Sequence, residues 1–169
     1  MEKLVNKKPN TKSAPSIGLS EDNRAGAAEI LNHILANESV LYTKTRNFHW
    51  NVTGPLFYSL HNLLEEQYQQ LATSIDEIAE RSRQMGFRAI GSMQEFLDLA
   101  SLKESKDEKL SDTEMVARLV KDHESLIESM RVDIEKLEDE LQDAGNADFV
   151  TALLQEHEKM AWMLRSLLK

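Results

Sequence analysis

Apolar residues recur along this chain at helical spacing, and the recurrence is broken in only a few places. Ile30, Leu31, Ile34, Leu35, Leu41 and Phe48 form one stripe, as expected for one face of a helix. Ser20 stands ahead of it as an N-cap, which places the helix over about 21–51. Gly54-Pro55 interrupts the pattern, and Pro55 suits the first turn of the next helix, where a missing N–H costs nothing. Leu60, Leu64, Leu71, Ile75 and Ile78 then mark the core face of a second helix, about 56–85, stopped by Gly86. Ser92 and Glu95 form a capping box for a short helix over about 93–100. Ser111 and Glu114 form another, opening a long helix that runs to about Ala144 with Gly145 behind it. Asn146 is the expected cap of a last helix reaching about Leu168.

This pattern predicts an all-α chain with four long helices and one short one. Short connections after the first and third long helices make each pair antiparallel neighbours. The link from Gly86 to Ser111 is about 25 residues and carries its own helix, enough to cross from one end of a bundle to the other. Four helices with one long middle crossover is the ferritin-like bundle architecture, which other bundle proteins share.

Composition supports this picture. Among 169 residues there are six Gly and three Pro, a scarcity that favours long helices over a turn-rich sheet. A hydrophobic share of 41% with 29% charged residues describes a soluble globular chain. There is no cysteine, which excludes disulfides, zinc fingers and iron–sulfur clusters. No apolar run approaches the ~20 residues of a membrane span, and no apolar signal region leads the chain. The expected location is cytoplasmic, so the sequon Asn51-Val52-Thr53 is read as chance.

Charge is unevenly placed. Residues 1–19 hold Lys3, Lys7, Lys8 and Lys12 against Glu2, a net +3, so the rest carries −12 of the total −9. With Pro9, Pro15 and no apolar periodicity, 1–19 is expected to be a flexible lysine-bearing arm, and 20–169 the bundle. The acidic body repels nucleic acid and attracts cations, and the arm does the reverse.

The candidate chemistry centres on His49-Trp50 and the second helix. His61, Glu65, Asp76 and Glu80 lie within about 100° of one another around that helix. His61 and Asp76 are fifteen residues apart, roughly 22 Å along a straight helix, whereas metal–ligand bonds are about 2 Å. One copy of the chain therefore cannot put both on one ion. Either the clusters are unrelated, or a two-fold-related copy brings its Asp76 and Glu80 to the histidine end.

His49-Trp50, His61, Glu65 and the run "SIDEIAER" with Asp76 and Glu80 together resemble the Dps family, the DNA-binding proteins from starved cells, within the ferritin-like superfamily. The resemblance covers nearly the whole chain and includes the long crossover. The Glu-x-x-His pairs of larger ferritins are absent. The resemblance implies a homo-dodecamer built from two-fold dimers, with His49, His61 and Glu65 from one subunit and Asp76 and Glu80 from its mate. It implies two iron ions per shared site, oxidation of Fe(II) preferably by hydrogen peroxide, and ferric mineral stored in the hollow shell. Zinc, manganese or cobalt are alternative occupants. Many members have Asp where this chain has Glu65, which bears on the second iron position. The family reading makes Trp50 an electron donor beside the site.

The same resemblance places Asp143 and Asp148 at three-fold pores that draw cations inward, with Asp139 a weaker candidate. It also ties lysine arms to DNA. One +3 arm binds weakly, but twelve on one shell act together. An alternative reading thus makes the protein mainly a non-specific, nucleoid-associated DNA compactor. His33, His123 and His157 sit beside acidic residues and are read as surface or structural. Tyr42 and Tyr58 are read as packing residues, and Met160, Trp162 and Met163 as core or subunit-contact residues.

Overall fold

The computed structural model describes residues 15–106 and 109–168. Helix α1 spans Glu21–Asn51, α2 Phe57–Gln84, α3 Met93–Leu99, α4 Asp112–Glu135 and α5 Ala144–Arg165. No strand occurs among the described residues. The expected ferritin-like four-helix bundle with an extra short helix in the crossover is what forms. Helices α1 and α2 make one antiparallel hairpin, α4 and α5 the other, and α3 lies against α1.

Local chemistry sets most boundaries. The Ser20 hydroxyl accepts from Asn23 N at 3.1 Å, and both capping boxes, Ser92/Glu95 and Ser111/Glu114, are formed. At the α1–α2 corner, Phe57 N–H bonds Gly54 O at 3.1 Å, a turn with Pro55 in its second position. Pro55 thus precedes α2 instead of lying in its first turn. Gly54 has φ +106°, and a Cβ there would stand 3.1 Å from Asp112 Oδ2. That carboxylate also accepts from Leu56 N at 3.2 Å, so the start of α4 holds the corner.

The junction before α5 differs from the expected one. The α4 rod widens into a π-helical turn, Lys136–Glu140. Asp143 N–H bonds back to Leu137 O at 2.9 Å across Gln142, whose φ is +52°. This is a Schellman-type stop with glutamine in the left-handed position usually held by glycine. Asp143, not Asn146, caps α5: its Oδ1 accepts from Asn146 N at 3.0 Å. Gly145 lies inside the first turn, where a Cβ would meet Arg81 Nη2 at 3.0 Å.

The crossover is strapped to α1 by two buried amides. Asn32 donates to Arg88 O and accepts from Ile90 N. Asn37 Oδ1 accepts from Ser101 N, Ser101 Oγ and Leu102 N, each at 3.0 Å.

The core has two apolar halves. One gathers Leu31, Leu35, Ile78, Met130, Leu137 and Leu154; the other gathers Leu41, Leu60, Leu64, Leu71, Leu119 and Leu164. Each such side chain contributes about 1.5–3 kcal/mol on burial. Where the halves meet, all four long helices turn polar side chains inward: Glu38, Ser74, His123 and His157, none more than 2% exposed. His157 Nε2 is 2.5 Å from Glu38 Oε1, and His157 Nδ1 is 2.8 Å from His123 Nδ1. Ser74 Oγ donates to Glu156 Oε2 at 3.2 Å. Nearby, Lys44 Nζ pairs with Asp122 Oδ2 at 2.6 Å, with the lysine side chain 3% exposed. Removing one partner of such a pair strands the other charge, at about 3–5 kcal/mol.

The two aspartates read as pore residues have different structural weight. Asp143→Ala is expected to cost about 1–2 kcal/mol, the scale of a lost N-cap. Exposed Asp148→Ala should stay within about 0.5 kcal/mol. Denaturant unfolding of both variants at one protein concentration checks the difference.

Candidate metal centre

His49 occupies the last turn of α1 and His61 the second turn of α2, facing across the Gly54-Pro55 corner. Their Nδ1 atoms make reciprocal bonds: His49 Nδ1 to His61 O at 2.8 Å and His61 Nδ1 to His49 O at 2.9 Å. A carbonyl only accepts, so each Nδ1 carries the proton and donates it. In the neutral ring each Nε2 is then left with a lone pair, the form that binds a metal. The rings stack at 3.8 Å with planes 18° apart. His49 is 7% exposed, His61 is half-buried, and Phe57 stacks on the outer face of His61 at 5.3 Å.

Glu65 follows one turn after His61 and is half-buried. Tyr68 hydroxyl donates to its Oε1 at 3.3 Å, and the Tyr68 ring meets His49 edge-on at 5.2 Å. Tyr68 is a neighbour that residue patterning missed; its signal was the i, i+3 spacing from Glu65, which puts both on one helix face. Arg46, one turn before Trp50, lies over three rings at once: Trp50 at 4.8 Å, Tyr42 at 5.2 Å and Tyr68 at 5.6 Å. Arg46 Nη1 also donates to Tyr42 hydroxyl at 2.8 Å. Trp50 itself is 64% exposed.

Asp76 and Glu80 are exposed farther along α2. The helix runs unbroken from Phe57 to Gln84, so they stay roughly 22 Å and more from His61. Among the described residues no three His, Asp or Glu side chains are grouped to hold a metal ion. The chain thus carries His49, His61 and Glu65 toward one end of α2 and Asp76 and Glu80 toward the other.

Glu80 also lines a groove of about 480 Å³ with Glu77, Arg81 and Asp148, so an expected ligand and an expected pore residue share one surface. Asp143 does not face it. It is 4% exposed, and its oxygens are taken by Asn146 N and Asn146 Nδ2. Asp139 is exposed. Lys3, Lys7, Lys8 and Lys12 lie outside the described residues.

The chain's relatives share this arrangement of helices. The family profile of the ferritin-like domain matches residues 28–169. A low temperature-induced protein of Nostoc sp. is 50% identical over 154 residues, covering 91% of this chain and 86% of that one. DNA protection during starvation protein 2 of Bacillus anthracis is 39% identical over 140 residues, covering 83% and 94%. Among solved structures, the Dps protein of Vibrio cholerae superposes with a TM-score of 0.85 at 35% identity, covering 92% and 97% of the two chains. It is described as a member of a broad superfamily of ferritin-like diiron-carboxylate proteins. A Dps protein from Bacillus brevis gives a TM-score of 0.83 at 37% identity, covering 88% and 98%.

If the free Nε2 atoms are what the corner offers, His61→Phe should keep the stacked ring and the fold, at about 1 kcal/mol for one lost hydrogen bond. Co(II) binding, followed by its visible absorption, should weaken at least tenfold, since even outer-shell changes act on that scale.

Proposed function

This chain belongs to the Dps family of ferritin-like proteins, and we propose that it oxidises Fe(II) at sites shared between two-fold-related subunits and keeps the ferric product inside a hollow dodecamer. Family membership supports iron storage and DNA protection as the class of function. The observation that carries the finer reading is the His49/His61 exchange, because it prepares two imidazole lone pairs beside Glu65 while Asp76 and Glu80 stay out of reach on the same helix. An antiparallel pairing of two α2 helices would bring the halves together twice, once at each end. Two imidazoles and three carboxylates are a donor set suited to Fe(II).

Each site would hold two Fe(II) as substrate, and the preferred oxidant is hydrogen peroxide. Each Fe(II) gives up one electron. The pair of electrons breaks the O–O bond, and with two protons the peroxide becomes two waters. Consuming both oxidising equivalents on iron leaves no hydroxyl radical to attack DNA. Trp50, beside the site and coupled to Arg46, is the reserve electron donor. Glu65 reaches farther than an aspartate would, and Tyr68 holds it, which bears on how the second iron is bound.

Cations would reach the interior past acidic surfaces, and Asp148 with Glu77 and Glu80 offers one. The lysine arm supplies the second reading, a DNA-compacting role. That role rests on Lys3, Lys7, Lys8 and Lys12, and on twelve arms acting together.

A mixing experiment tests the shared site. His61→Ala and Asp76→Ala assemblies should each lose most ferroxidation. Dissociated, mixed in equal amounts and reassembled, they should regain about a quarter of the wild-type rate, because half the dimers are mixed and each has one intact site of two. No recovery, with both variants fully reassembled, would place the site elsewhere.

For the arm, deletion of residues 1–15 should abolish the gel shift of DNA, and the wild-type shift should vanish as salt rises. A shift that survives both would assign DNA binding to the bundle.

A further inference from the structure

We propose that Glu38, His157 and His123 form a hydrogen-bonded latch between the two helical hairpins, closed at neutral pH and opened by acid. The three side chains come from α1, α5 and α4, and each is at most 1% exposed. Glu38 Oε1 and His157 Nε2 stand 2.5 Å apart, and His157 Nδ1 and His123 Nδ1 stand 2.8 Å apart. The chain is linear, not convergent. Only one hydrogen fits between two facing ring nitrogens at that distance, so one ring donates and the other accepts.

With both rings neutral, His123 Nδ1–H donates to His157 Nδ1 and His157 Nε2–H donates to Glu38, so both contacts are made without a further proton. Protonating both rings would set two N–H groups and two charges against each other across the 2.8 Å contact. Nothing buried nearby takes up that charge: Glu38 Oε2 and His123 Nε2 have no hydrogen-bond partner among the described residues. Charged groups on the packed elements are already engaged. Lys44 of α1 is paired with Asp122 of α4, and Glu156 of α5 accepts from Ser74. Helix α2 turns only Gln67, Leu71 and Ser74 inward here.

Burial, and secondarily His157, hold His123 well below the usual imidazole range. The sign is fixed: His123 stays neutral in the fold and takes a proton when unfolded. Stability is therefore full above the unfolded value of about 6.5 and falls as pH drops below it. The seam between the hairpins relies on this latch more than either hairpin does, because α1 and α4 touch far more sparsely across it than the helices within each hairpin touch each other.

The assembled full-length protein tests this by denaturant unfolding from pH 8 to pH 5 at one protein concentration. Between about pH 6.5 and 5, the wild-type folded-to-unfolded ratio should fall roughly tenfold more per pH unit than that of His123→Gln, which has one fewer proton to gain. Equal slopes for wild type and His123→Gln overturn the latch. Should a variant fail to fold, hydrogen exchange of the wild type decides. Residues 34–42, 119–127 and 153–161 should lose protection at a higher pH than the 45–64 corner, once intrinsic rates are corrected. Simultaneous loss overturns the proposal.

Discussion

The reciprocal bonds between His49 and His61 are the constraint on which the rest depends. They join the last turn of α1 to the second turn of α2, and so fix the register of the first hairpin. Register along α1 decides where Asn32 and Asn37 meet the crossover and where Lys44 meets Asp122. The same two bonds settle chemistry. Each consumes an Nδ1–H and leaves an Nε2 lone pair, so one contact serves both as a structural clamp and as preparation of ligands. The outer shell that usually orients metal-binding histidines is here the backbone of the opposite histidine.

What the clamp prepares, the helix keeps apart. An unbroken α2 is a rigid spacer, with a rise of about 1.5 Å per residue. No rotamer of Asp76 or Glu80 spans the gap to His61. The sequence pattern was informative because of this rigidity: ligand-type residues on one helix at unreachable separation mean either coincidence or a second copy.

Legibility followed the range of the physics involved. Helices α1 to α3, both capping boxes and the crossover were readable, since apolar periodicity and side-chain-to-backbone caps act within a few residues. The α4–α5 junction was not. Gly145-Asn146 looked like a stop and a cap, but Gln142 takes the left-handed position and Asp143 the cap. The π-helical turn had no local signature and is fixed by packing, with Leu137 fully buried. Tyr68 was overlooked because its role depends on α1, through His49 and Arg46. His123 and His157 were assigned surface or structural roles from their acidic neighbours in sequence. The structural half of that reading holds, with a different partner. Glu38, remote in sequence, supplies the carboxylate.

That partner also explains a feature of the apolar stripe. Along α1 the stripe runs through Leu35 and resumes at Val40 and Leu41, and Glu38 fills the interval. Ser74 fills the corresponding interval on α2, between Leu71 and Ile78, and His157 that on α5, between Leu154 and Met160. A core continuous in leucine would let the hairpins slide by a turn at little cost, because apolar contacts are non-directional. A carboxylate and two imidazoles within hydrogen-bond distance admit one register alone. The polar layer weakens the core locally, since burying these groups costs free energy that their bonds only partly offset. In exchange it fixes the position of one hairpin on the other. The two halves of the proposed site lie at opposite ends of α2, and the surface that carries them keeps one shape only if that register does not slip.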